Sequence, residues 1–169
     1  MNHIITPEEV RQYGRAMSSH VDRKVLESLI QETENMDIVP ALGVALVRGL
    51  SEPTENEHYT TLLEGGYYND GKSHLQGLKA AMAYYVQAKL VKTNDNQITR
   101  FGVMQKDSEY GTRPSLSERN DQYNDLCSIA DQYLRDALDY IAQHEEHFPA
   151  MCHRGGIRNN RTIYRIIGE

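Results

Sequence analysis

From Ser115 to about Glu145 the chain carries one uninterrupted helical pattern, and that pattern dictates the kind of fold available to it. Leu116, Tyr123, Leu126, Ala130, Tyr133, Ala137 and Ile141 are spaced 7, 3, 4, 3, 4 and 4. This near-heptad rhythm places a narrow apolar stripe on one side of a helix. Ser115-Leu116-Ser117-Glu118 supplies a starting cap, with a serine hydroxyl for the third backbone N–H and a glutamate to reach back. At 1.5 Å per residue such a helix runs roughly 45 Å. A rod of that length buries its stripe only against other helices lying antiparallel to it, so the expectation is a mainly α protein, a small antiparallel helical bundle.

The rest of the chain provides the partners. Thr6-Pro7-Glu8-Glu9 starts a short helix that Gly14 ends. A second helix is expected from about Asp22 to Met36, with Val21, Val25, Leu29, Thr33 and Met36 on one face. Pro40 opens another, bearing Leu42, Leu46 and Leu50. Glu55 to Glu64 reads as a short helix closed by Gly65-Gly66, and Tyr67 to Gly71 as a turn. A strong helix is then expected from about Ser73 to Lys92, with Leu75, Leu78, Met82, Tyr85, Val86 and Leu90 apolar and several small residues for close packing. Gln97 to Lys106, with Ile98, Phe101, Val103 and Met104, reads as a strand or extended loop.

Charge divides the chain in two. Residues 148–169 hold four arginines and one glutamate, a charge of +3, which leaves −9 for residues 1–147 out of −6 overall. We therefore expect a helical domain over 1–147 and an extended basic C-terminal arm over 148–169. The arm interleaves Arg154, Arg158, Arg161 and Arg165 with Ile157, Ile163, Tyr164, Ile166 and Ile167. That is too apolar for a merely solvated end, and it fits a segment that docks on an acidic surface or adds a strand to another chain. The aromatic supply points the same way: eleven Tyr, two Phe and no Trp. Tyrosine is enriched where surfaces meet.

Several chemistries are expected to be absent. The longest nearly apolar stretch, Ile38 to Val47, is far short of a membrane span, and the N-terminus lacks a signal-peptide pattern. Cys127 and Cys152 make no disulfide framework, which fits a reducing cytoplasm. Gly66-Tyr67-Tyr68-Asn69-Asp70-Gly71-Lys72-Ser73 matches the phosphate-loop letters, but no buried strand precedes it, so it reads as a glycine-capped turn before a helix. His144, His147, Cys152 and His153 lie within ten residues, yet the adjacency of the last two makes joint zinc ligation awkward. The carboxylate pairs Glu8/Glu9, Glu32/Glu34 and Glu145/Glu146 sit in polar helix contexts that do not separate their pKa values. Cys127 falls on the apolar side of the long helix, as a packed thiol. No catalytic residue, cofactor or metal is expected. The −9 body also repels phosphate, which counts against nucleic-acid binding.

The order of motifs is itself informative. Ile5-Thr6-Pro7-Glu8-Glu9-Val10, Ile38-Val39-Pro40-Ala41-Leu42-Gly43, Leu62-Leu63-Glu64-Gly65-Gly66, His74-Leu75-Gln76-Gly77-Leu78-Lys79 and Thr99-Arg100-Phe101-Gly102-Val103-Met104 precede the long Tyr-rich helix. Over about residues 4–145 this arrangement resembles small proteins of Bacteroides phages and prophages. Those in turn are similar to the head–tail connector (adaptor, or ring) proteins of tailed phages, crAss-like phages included. The resemblance implies a structural virion protein, in a homo-oligomeric ring of twelve copies beneath the portal. Such a ring joins portal to tail proteins and continues the channel, with DNA only as passing cargo. On that reading Arg154, Arg158, Arg161, Tyr164 and Arg165 bind the portal or a neighbouring subunit. The Gln97–Pro114 segment, with Arg100, Phe101, Met104 and Tyr110, lies at the ring interface or lumen. The alternative is a free helical adaptor or regulatory protein that uses its arm on one acidic protein partner.

Overall fold

The centre of the molecule is a helix with no exposed residue before its last turn. In a computed structural model of the chain, the described residues are 3–52, 56–93, 96–99, 102–105 and 115–148. Seven α-helices run through them: α1 (Pro7–Tyr13), α2 (Arg23–Thr33), α3 (Val39–Leu42), α4 (Val44–Leu50), α5 (Glu57–Glu64), α6 (Leu78–Thr93) and α7 (Leu116–Gln143). The central helix, α6, buries Leu78, Met82, Tyr85, Val86 and Leu90 and, between them, Ala80, Ala81, Ala83 and Ala88. The alanines let neighbouring helices approach closely on every side, and α7, α1, α2 and α5 all pack on it.

Helix α7 lies along α6 in the antiparallel sense. Tyr84 meets Tyr133 edge-on at 5.7 Å, Tyr85 donates its hydroxyl hydrogen to Asp131, and the Lys92 ammonium stands 3.7 Å over the Tyr123 ring. Positions advance on one helix as they fall on the other. The mainly α, antiparallel architecture expected from the heptad rhythm is the one found. Both expected capping boxes form, at Thr6/Glu9 and at Ser115/Glu118. Leu126, Ala130, Ala137 and Ile141 are buried as the stripe requires. Leu116 is not: it is 69% exposed, because it begins α7 two turns before Tyr123 and so lies beyond the end of α6. Cys127 is half-buried rather than packed inside.

The α2 face also differs from expectation. Leu26, Leu29, Ile30 and Thr33 are buried, while Val25 and Met36 are exposed. A strict step of four residues drifts round a 3.6-residue helix, so only the middle of the expected row faces inward. A π-turn at Glu34–Ile38 then adds a residue, with the Val39 N–H donating to the Glu34 carbonyl five positions back. That turn brings Glu34 against the N-terminal segment, where its carboxylate accepts from the Ile4 N–H at 2.7 Å and contacts His3 Nδ1 at 2.6 Å. Gly43, at φ +86°, breaks the Pro40 helix into α3 and α4, and Leu42, Leu46 and Leu50 are all buried.

Two antiparallel hairpins complete the described residues. The strands β1 (Gly66–Tyr68) and β2 (Ser73–Leu75) pair Gly66 with Leu75 and Tyr68 with Ser73. The turn and helix expected over 67–92 are thus corrected: the chain folds back on itself before α6 starts at Leu78. The four residues 69–72 form the loop: Asn69, Asp70 and Gly71 are all at positive φ, and the Lys72 N–H donates to the Asn69 carbonyl. Asn, Asp and Gly are the residues that tolerate this left-handed backbone best. The strands β3 (Asn96–Thr99) and β4 (Gly102–Gln105) form the second hairpin, between α6 and α7. It is the extended element expected at 97–106.

Candidate functional site

The phosphate-loop letters fall on the first hairpin. A phosphate loop runs from a buried strand into a helix, so that successive backbone N–H groups curl round the anion. Here Gly71 sits in the four-residue loop of a hairpin and Ser73 opens a strand. This geometry does not make that cradle, and the match is one of letters alone.

Four of the six paired carboxylates, Glu8, Glu9, Glu32 and Glu34, make ion pairs that join separate elements. The Glu9 carboxylate receives the Thr6 N–H at 2.8 Å and the Lys79 ammonium at 2.7 Å. Burial alone would raise its pKa. The hydrogen bonds from Lys79 and Thr6 outweigh that and hold the carboxyl below its usual value of 4.5. An acid shifted downward is the opposite of a poised proton donor. For Lys79, burial pulls the ammonium down, but Glu9 and then Glu64 overcome it and leave its pKa above 10.5. Glu32 and Asp37 both reach Lys89, at 3.3 and 3.2 Å. These pairs tie α1, α2 and the π-turn to the central helix.

The histidines near the end of α7 have a partner that their own spacing does not reveal. His58, from α5, stacks on His147 with ring centroids 3.7 Å apart and lies 5.2 Å from His144. Its Nδ1 is 3.0 Å from the Tyr140 hydroxyl, and Tyr68 from β1 meets the Tyr140 ring edge-on at 5.0 Å. His144 Nδ1 donates to the Tyr140 carbonyl at 2.9 Å, which fixes the proton on that nitrogen, since a carbonyl only accepts. Burial, followed by repulsion from His147 and His144, holds His58 below its ordinary pKa of 6.5, against the pull of Glu57 and Glu146. Phe148 closes the cluster, fully buried and stacked on Tyr59 at 5.3 Å. Among the described residues, no group of three or more His, Cys, Asp or Glu side chains is placed to hold a metal ion. Stacked rings turn their faces to each other, whereas ligands must converge their nitrogens.

A second feature lies on the other side of the hairpin base. An open groove of about 430 Å3 runs between α1, α7 and the β1–β2 hairpin, lined by Tyr13, Tyr84, Tyr133, Glu64, His74 and Gln76 among others. Beside it is a backbone crossing, where Gly65 and Gly77, both at positive φ, bring the end of α5 against the start of α6. Spacing along the chain carries no sign of this convergence, because its members come from separate elements.

Of the residues expected to bind partners, Arg154, Arg158, Arg161, Tyr164 and Arg165 lie outside the described residues. So do Arg100, Phe101 and Tyr110, together with Cys152 and His153 of the metal candidate. Met104 falls within β4, where the backbone is described. Among the described residues, no helix is long and apolar enough to cross a membrane.

A family model, described as a family of unknown function (DUF6712), matches residues 38–161. No curated protein matches the chain, and no solved structure does.

Proposed function

We propose that this chain, which belongs to the DUF6712 family, is a structural virion protein. In this reading it forms a homo-oligomeric ring at the portal–tail junction of a tailed phage, joins portal to tail and continues the DNA channel. The observation that carries the reading is the division of charge, with −9 on the body over 1–147 and +3 on residues 148–169. Opposite charges at two ends of one chain favour head-to-tail contact between copies, and head-to-tail contacts close into rings when their rotation allows it. An acidic wall also offers few cations to passing DNA phosphates. The structural use of Glu9, Glu32, Glu34 and Lys79 accords with a scaffold role.

The arm residues Arg154, Arg158, Arg161, Tyr164 and Arg165 bind the portal or a neighbouring subunit in this reading. The Gln97–Pro114 segment lies at the ring interface or lumen, which suits its position between the two longest helices. Quantitative mass spectrometry of purified virions of the phage that encodes the chain tests the assignment. The reading expects the protein in a fixed ratio to the portal protein. Virions that carry portal and tail but lack this chain would refute it. Cross-links that place residues 97–114 on the outer surface alone would refute the assignment of that segment.

A further inference from the structure

We infer that the groove between α1, α7 and the β1–β2 hairpin is the acceptor site for an arginine side chain from the C-terminal segment, residues 149–169, of a second copy of this chain. The inference deepens the ring reading and rests on it, because it names the contact by which one subunit holds the next.

The groove has the chemistry that a guanidinium requires. Three tyrosines, Tyr13, Tyr84 and Tyr133, line it, and Glu64 stands at its edge. Arginine stacks its planar head on aromatic faces and pairs its fork with a carboxylate. Glu64 retains the capacity to accept it. The Lys79 ammonium is 2.7 Å from Glu9 but 3.5 Å from Glu64, so Glu9 takes the stronger bond, and the Glu64 side chain is 53% exposed. Gln76 adds an amide at the rim. The entrance is open at Gly66, where an added Cβ would meet no atom within 4 Å. A volume of about 430 Å3 admits side chains of an extended segment rather than a folded domain.

The chain itself supplies a matching occupant. Residues 149–169 hold arginines at 154, 158, 161 and 165, set among isoleucines and Tyr164. They follow Phe148, which is anchored in the core. At no more than about 3.6 Å per residue, 21 residues reach up to about 75 Å. That exceeds the roughly 42 Å length of α7, so the segment can pass from its own body to a neighbour of opposite charge.

Full-length protein with Gln76→Cys and Thr162→Cys, in a Cys127→Ser, Cys152→Ser background, tests the contact. Isotopically heavy and light preparations are mixed, oxidised and digested, and native mass spectrometry is run on the same sample. The expected result is heavy–light disulfide-linked peptides that join position 76 of one copy to position 162 of another. Their yield should be at least about tenfold above that of a Lys24→Cys, Thr162→Cys control. Glu64→Lys lowers the yield by at least about tenfold, the effect of a like charge facing an arginine. Absence of the link, or links confined to heavy–heavy and light–light peptides, overturns the inference. A ring that assembles without the link refutes the groove and leaves the ring reading standing. A heavy–light link in a sample that never exceeds a dimer, with or without the portal protein present, upholds the groove and refutes the ring.

Discussion

Replacing Gly77 with alanine probes the junction that positions the groove, the hairpin and the central helix together. Gly77 has φ +90°, and an added Cβ would lie 2.6 Å from the Glu64 carbonyl carbon, the Gly65 nitrogen and the Leu63 oxygen. All three are backbone atoms, so no side-chain rotation relieves the contact. Two costs add. A left-handed backbone costs an L-residue about 1–2 kcal/mol, and over-packing against a fixed neighbour costs about 1–3 kcal/mol. Gly77→Ala is therefore expected to lose about 2–5 kcal/mol, a large share of the stability of a domain this size. Two other glycines separate the terms. Gly71 has φ +78° with open space around it, so Gly71→Ala carries the backbone cost alone, about 1–2 kcal/mol. Gly49 lies within α4, where a Cβ would make ordinary contact with Tyr59 at 3.7 Å, so Gly49→Ala is expected to gain about 0.5–1 kcal/mol. Urea unfolding followed by circular dichroism at about 222 nm, where helical amides absorb, measures all three. A Gly77→Ala variant no less stable than Gly71→Ala would refute the backbone crossing.

Three further outcomes follow from particular side chains. Gln87 is buried in α6 and holds both backbone groups of Arg15, accepting from its N–H at 2.9 Å and donating to its carbonyl at 2.6 Å. Gln87→Leu strands both and is expected to cost about 1–3 kcal/mol in the same unfolding assay, while a neutral result would show that Gln87 anchors nothing. Because the folded-state pKa of His58 lies below 6.5, the unfolded chain binds its proton first as the medium acidifies. The contribution of His58 to stability is then fully present above pH 6.5, falls as the pH drops from 6.5 toward the folded-state pKa, and levels off below it. His58→Phe should flatten that part of the pH profile of the urea midpoint, and an unchanged slope would contradict the assignment. Deleting residues 149–169 should abolish assembly of the ring with the portal while leaving the helical circular dichroism intact. Normal ring assembly on the portal by the shortened chain would refute the role of the arm.

Helices were legible where caps and periodicity agreed. The capping boxes at Thr6 and Ser115 and the glycine close at Gly65 appear where the residues put them. The row on α2 was legible only in its middle, because a four-residue step and a π-turn rotate its two ends away from the core. The first hairpin was harder to see. Strands of three residues hold too little alternation to read, and the Asp70-Gly71 turn signal stood inside a string that also spells a phosphate loop. Only His144 and His147 of the histidine cluster stood together in the sequence, and the tyrosine groove had no sequence signature. His58 meets Tyr140 across 82 positions, and the groove joins α1, α5, the hairpin, α6 and α7. Such sites arise from tertiary packing, which spacing within one helix does not encode.

Assembly of this chain into a ring on a portal is tested most directly by native mass spectrometry of the purified full-length protein, alone and mixed with the portal protein of the same phage. The predicted result is a discrete complex in which the copy number of this chain matches the symmetry of the portal ring. A chain that stays monomeric in the presence of that portal would contradict the ring and favour the solitary adaptor.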